Sequence, residues 1–162
     1  MSEIDRLIHE FTDANADRCW IVSQLEESGD QRVLSLFLRT LADFKEEDVL
    51  RIEIMKSFVM RDDPAPNHTR IANTVVDVVT NDPDELVRQH AANALKGYTD
   101  VDGVLAVLES LVKNESEDID VRHNALAAIS TNAANEGCRA ALLRLASVSE
   151  LGRYAQRRLN GE

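Results

Sequence analysis

Residues 84–95 read Asp84-Glu85-Leu86-Val87-Arg88-Gln89-His90-Ala91-Ala92-Asn93-Ala94-Leu95, or DELVRQHAANAL. An acidic residue opens the stretch, Arg88 follows four places on, and Ala91 and Leu95 stand three and seven places after the arginine. That spacing sets the three side chains along one side of an α-helix. The pattern recurs. Residues 118–129 read DIDVRHNALAAI, with Arg122, Ala125 and Ile129. Residues 47–58 read EDVLRIEIMKSF, with Arg51, Ile54 and Phe58, and a weaker copy in 14–25 reads ANADRCWIVSQL, with Arg18, Ile21 and Leu25. The four arginines lie 33, 37 and 34 residues apart. A period of this length with two helices per unit is the signature of an α-solenoid.

The DxxVRxxAxxAL pattern of 84–95 and 118–129 resembles the second helix of HEAT repeats, and in particular the short HEAT-like repeats of the phycobilisome-lyase type. The copies at 47–58 and 14–25 depart at the small position, with Ile54 and Ile21 where alanine is usual. A fifth, degenerate copy near 149–159 has Gly152 in place of the arginine, with Ala155 and Leu159 at the right offsets. The resemblance implies an all-α, right-handed α-α superhelix of about five helix pairs, forming one domain over 1–162. The repeats fall at about 2–28, 31–61, 67–97, 101–133 and 137–160. It also implies that the second helices line the concave side. Each arginine is then a structural group, paired with an acidic residue of its own or the next repeat. Asp84, Asp118 and Glu47, one turn before their arginines, are the nearest candidates.

Within the repeats the spacing predicts helices at 3–12 and 15–28, 31–43 and 46–61, 68–80 and 84–97, 101–114 and 118–133, and 137–147 and 150–159. Asp62-Asp63-Pro64-Ala65-Pro66-Asn67 reads as the longest loop and accounts for the 37-residue spacing. Asp82-Pro83-Asp84-Glu85 reads as a helix start with Asp82 as N-cap, Gly97 reads as a C-terminal cap, and Ser2 with Asp5 as a capping pair. The first helices carry rows of large apolar residues such as Val33, Leu34, Phe37 and Leu41. The second helices alternate small and large, as in Ala91, Ala94 and Leu95, so that neighbours approach closely. Leu95→Ala in such a core costs about 2–5 kcal/mol.

Composition agrees with helices and narrows the function. Of 162 residues 44% are hydrophobic but only 4% aromatic, with 6 Gly and 3 Pro. The 18 Lys+Arg against 29 Asp+Glu leave a net charge of −11. Generic nucleic-acid binding rests on cationic side chains displacing counterions, so this balance argues against it and against an anionic membrane surface. No apolar run approaches the ~18 residues of a membrane span. The start, MSEIDRLIHEF, lacks the basic and apolar regions of a signal peptide, so the expected compartment is the cytoplasm. Cys19 and Cys138 suit reduced thiols there. The charge is uneven: residues 137–162 hold five basic and two acidic groups, whereas residues 1–136 hold 13 basic and 27 acidic ones.

No motif nominates catalytic chemistry. His9, His68, His90 and His123 have no zinc-type spacing, and neither a calcium loop nor a P-loop occurs. The reading is therefore no enzyme, no cofactor and no metal site, and acidic runs such as 46–48 and 115–120 read as solvated faces. What remains is surface. Positions one, two and five after each arginine are expected to point outward from the second helices. They nominate Trp20, Glu53, Lys56, Gln89, His90, Asn93, His123 and Asn124 as partner-binding residues, alongside Cys19, Ser23, Ile52 and Ala127. Trp20, the single tryptophan, suits an interface anchor or the core of the first repeat. The expected function is a non-catalytic module that binds a basic protein partner on this face. A toxin-immunity inhibitor protein, or a subunit of a bilin lyase-type enzyme, are the alternatives.

Overall fold

The computed structural model describes residues 2–59, 61–148 and 150–162. All regular structure among these residues is helical, with no strand. The first two pairs are α1 (Glu3–Phe11) with α2 (Arg18–Leu25) and α3 (Gln31–Ala42) with α4 (Asp48–Phe58). The next are α5 (Ala65–Asn81) with α6 (Glu85–Ala94), which runs into a 3-10 turn at Leu95–Gly97, and α7 (Val104–Lys113) with α8 (Ile119–Thr131). The last is α9 (Glu136–Leu145) with α10 (Gly152–Leu159). No helix among the described residues is long and apolar enough to cross a membrane.

The caps explain most of the helix starts. Ser2 and Asp5 form a full capping box on α1. Asp17, Asp30, Asp84, Asp118 and Asn135 each accept a first-turn backbone N–H with their side chains. Several expected boundaries move for local reasons. Pro64 to Asn67 are not a loop: α5 begins at Ala65, and Pro66, which has no N–H to lose, sits in its first turn. The N-cap of α6 is Asp84, which accepts from Val87 N at 3.0 Å; Asp82 instead closes α5. The seventh helix starts only at Val104, because Gly103 has φ +84° and breaks the preceding chain. Gly97 has no positive φ, so the end of α6 is a tightened turn rather than a left-handed cap.

Contacts follow a regular scheme. Within each pair the two helices pack on each other. Between pairs, α2 meets α4, α4 meets α6 and α6 meets α8, while α3 meets α5, α5 meets α7 and α7 meets α9. Even-numbered helices thus lie against even ones and odd against odd. One apolar cluster fills the space between them, from Leu7 and Phe11 through to Leu151 and Ala155. Phe11, Phe37 and Phe58 make a tilted aromatic file through its first half, with successive centroids 6.5 Å apart. The small residues Ala91, Ala94, Ala125 and Ala128 are buried where α6 and α8 approach. At Gly152 an added Cβ would collide with the backbone carbonyl of Ala146, so α10 can pack on the end of α9 only with glycine there.

Candidate functional site

The repeated arginines connect each helix pair to the next. The Arg18 guanidinium donates two 2.7 Å bonds to the Glu46 carboxylate. Arg51 binds Asp82, Arg88 donates to Glu117 at 2.8 Å, and Arg122 donates to Glu150 at 2.7 Å. The acceptors lie 28, 31, 29 and 28 residues beyond their donors, always in the segment before the next pair's second helix. Three of the arginines also hold the end of their own pair's first helix. Arg51 Nε donates to Leu41 O at 3.3 Å, Arg122 Nε to Val112 O at 3.1 Å, and Arg88 Nη1 to Asp82 O at 2.9 Å. These are helix C-termini, whose spare carbonyls favour a cation.

The partners lie in the next pair, one of the two expected placements, and not at the nearest candidates. The Glu47, Asp84 and Asp118 side chains do not accept from the guanidinium groups one turn later; those of Asp84 and Asp118 cap their helices instead. The partners Glu46 and Glu117 come from runs expected to be solvated, yet their side chains are only 22% and 11% exposed. A second row of bonds joins the opposite ends of the even helices. Arg61 Nη1 donates to Glu26 O at 2.7 Å, Tyr98 Oη to Phe58 O at 2.7 Å, and Asn132 Nδ2 to Lys96 O at 2.8 Å. The chemistry differs at each rung, so no repeated letter announces this row. Burial pushes the Tyr98 phenol well above its ordinary value, and Asp63 adds to that.

The ion pairs set a pH dependence. The Arg18 guanidinium holds the Glu46 carboxyl below its usual value, and Arg144 does the same for Glu109, which it contacts from α9 at 3.0 Å. Both carboxylates bind protons less readily folded than unfolded. Their contribution is therefore complete above the unfolded value of about 4.3 and is lost as pH falls through the lower folded values. The urea midpoint is expected to drop on acidification from pH 6 to pH 3, and Glu109→Gln to flatten that dependence.

The nominated surface residues fall into three groups. Trp20 is 47% exposed and is therefore not a core residue of the first pair. Lys56, Ser23 and Ala127 are exposed, whereas Cys19, Glu53, Gln89, His90, Asn93, His123 and Asn124 are half-buried between neighbouring even helices. Ile52 is a correction: it is buried in the apolar cluster.

Several of these side chains are brought together. Lys56 Nζ donates to Glu53 at 2.6 Å, Gln89 Nε2 to Asp118 at 3.4 Å, and Asn124 Nδ2 to Gln89 O at 3.2 Å. Burial lowers the His90 pKa, and the nearby Lys56 charge lowers it further. Burial raises the Cys19 thiol, and the Glu53 charge adds to the rise. The ring of His123 meets Tyr154 of α10 edge-on, centroids 5.3 Å apart, and is not joined to His90. Among the described residues no three His, Cys, Asp or Glu side chains are grouped to hold a metal ion. Cys138 is buried.

Residues 70–97 match the family model described as "Required for nuclear transport of RNA pol II C-terminus 2". The match takes in most of α5, all of α6 and the 3-10 turn, and so includes Arg88 and its pattern. Compared with the curated proteins, the chain finds no match.

Proposed function

We propose that the chain is a non-catalytic protein-binding module, an α-solenoid of HEAT-like pairs whose even helices receive a basic protein partner. The observation that carries this reading is the side-by-side order of α2, α4, α6 and α8. It joins an exposed tryptophan to a continuous row of polar side chains. The regular forward reach of four arginines supports the solenoid arrangement, since identical rungs at nearly constant offset arise from repeated stacking of one unit. The acidic excess of residues 1–136 supports a cationic partner, because charge complementarity speeds encounter and suppresses wrong partners.

A pull-down from the native host tests the reading. Glu53→Lys combined with His90→Ala reverses the face, and Trp20→Ala removes the anchor. Both variants are expected to lose the captured partner. An exposed side chain adds little to the core, so Trp20→Ala is expected to keep its unfolding free energy, measured by urea denaturation, within about 0.5 kcal/mol of the parent. Undiminished capture by both variants would remove the even-helix face from consideration.

A further inference from the structure

The row of even helices does not stop at α8. The tenth helix packs on α8, and Arg153, Tyr154 and Arg157 stand one, two and five places after Gly152, which replaces the repeated arginine. They continue the partner-binding row with its charge reversed. A pocket of about 310 Å³ opens between α8 and α10. His123 and Tyr154 line it together with Arg157 and Arg158, and Leu126 gives it a buried apolar wall.

This lining holds donors that lack acceptors. In a chain of net charge −11, Arg157 and Arg158 make neither an ion pair nor a side-chain hydrogen bond among the described residues. Both stand in the last turn of α10, where cations offset the carbonyl end of a helix. That accounts for their charge but not for the groups beside them. The His123 ring is half-buried, meets Tyr154 edge-on, and makes no hydrogen bond among the described residues. The Arg153 guanidinium lies 4.9 Å from the Tyr154 ring centroid and donates to Tyr154 Oη at 3.2 Å. The phenol oxygen is thus engaged as an acceptor, while its own proton has no acceptor among the described residues. Two guanidinium groups, a phenol and an imidazole on one pocket are donors in positive potential, and such a set selects an oxyanion. A carboxylate and a phosphate monoester share that chemistry. Glu162 also borders the pocket; it is exposed, and its side chain pairs with neither arginine among the described residues.

We infer that this pocket is the subsite for an oxyanion carried by the partner segment. The inference rests on the binding function proposed above and gives that segment a direction: cationic along α2 to α6, anionic where it reaches α10. The test is an amide NMR titration of the full chain with acetyl-Gly-Ser-Xaa-Ser-Gly-amide, where Xaa is glutamate, phosphoserine or neutral glutamine. The two anionic peptides are expected to shift Ala127, Tyr154 and Arg157, and the glutamine peptide is not. Tighter binding of phosphoserine by tenfold or more assigns the site to a phosphate, and equal or tighter binding of glutamate to a carboxylate. Arg157→Gln with Arg158→Gln, both exposed, is expected to weaken the anionic peptides about tenfold or more without moving the urea midpoint. Glu162→Gln is expected to tighten them about twofold, by relief of one screened like charge. Tyr154→Phe keeps the ring and every charge, and is expected to weaken them about threefold through the lost O–H donor. Equal binding of the glutamine peptide, no shift at millimolar peptide, or unchanged affinity in the double arginine variant overturns the subsite. So does unchanged affinity in Tyr154→Phe, which would leave only a diffuse cationic surface. Any of these, with capture still lost in Trp20→Ala, leaves the partner-binding reading standing. Anionic-peptide shifts at the pocket, with capture undiminished in the Trp20 and Glu53 variants, uphold the oxyanion site and remove the even-helix face instead.

Discussion

Arg51→Ala is expected to destabilise the fold by about 3–5 kcal/mol, the cost of stranding one member of a buried charge pair. Arg51 is 0% exposed, as is the Asp82 side chain it binds. The substitution leaves that carboxylate without its cation and Leu41 O without its donor. It also removes the guanidinium face that lies over Phe44, 5.2 Å from the ring centroid. Against the ~5–15 kcal/mol of a typical domain, most of the margin is gone. Urea denaturation of the purified variant measures this directly. The converse holds for the double replacement Arg51→Met with Asp82→Leu, which removes both charges at once. It is expected to fall far less than the single variant, and can equal the parent. A loss below about 1 kcal/mol in Arg51→Ala would reduce the pair to the value of a surface bridge.

Phe37→Ala is expected to cost about 3–5 kcal/mol, through lost burial and the cavity left behind. Phe37 is fully buried and stands between Phe11 of the first pair and Phe58 of its own. Its removal opens the contact between two pairs rather than a local void. For a chain of this size the melting temperature falls by roughly 6–20 °C. Phe37→Leu keeps most of the volume and is expected to lose less than half as much. Equal losses in the two variants would show that the aromatic file, and not the filled volume, is the stabilising element.

Helix content and pairing were legible in the sequence because they depend on local spacing. The apolar rows of α3 and the small residues of α6 and α8 announce which side is buried. The arginines announced themselves by repetition. Their partners did not. Glu46 and Glu117 stand in runs where any of several carboxylates would serve, and Asp82 doubles as the residue that closes α5. Selecting among them needs the relative height of two helix pairs, which is a tertiary quantity. The same gap hid the upper row, where an arginine, a tyrosine and an asparagine do one job. Trp20 was ambiguous for a different reason. Its position on α2 was readable, but the next unit's coverage of that position was not. Asn67 looked like loop polarity until α5 was seen to start two residues before it.

The arginine rungs are alike in geometry and unequal in strength. The second joins two fully enclosed side chains, whereas in the last Glu150 is 63% exposed while Arg122 is 4% exposed. Water competes for that final carboxylate, so this rung is the weakest of the four as an ion pair. The fourth and fifth pairs are held by a second bridge as well, from Arg144 of α9 to Glu109 of α7. Their tie is thus shared between a solvent-washed bond on the even helices and a sheltered carboxylate, Glu109, on the odd ones.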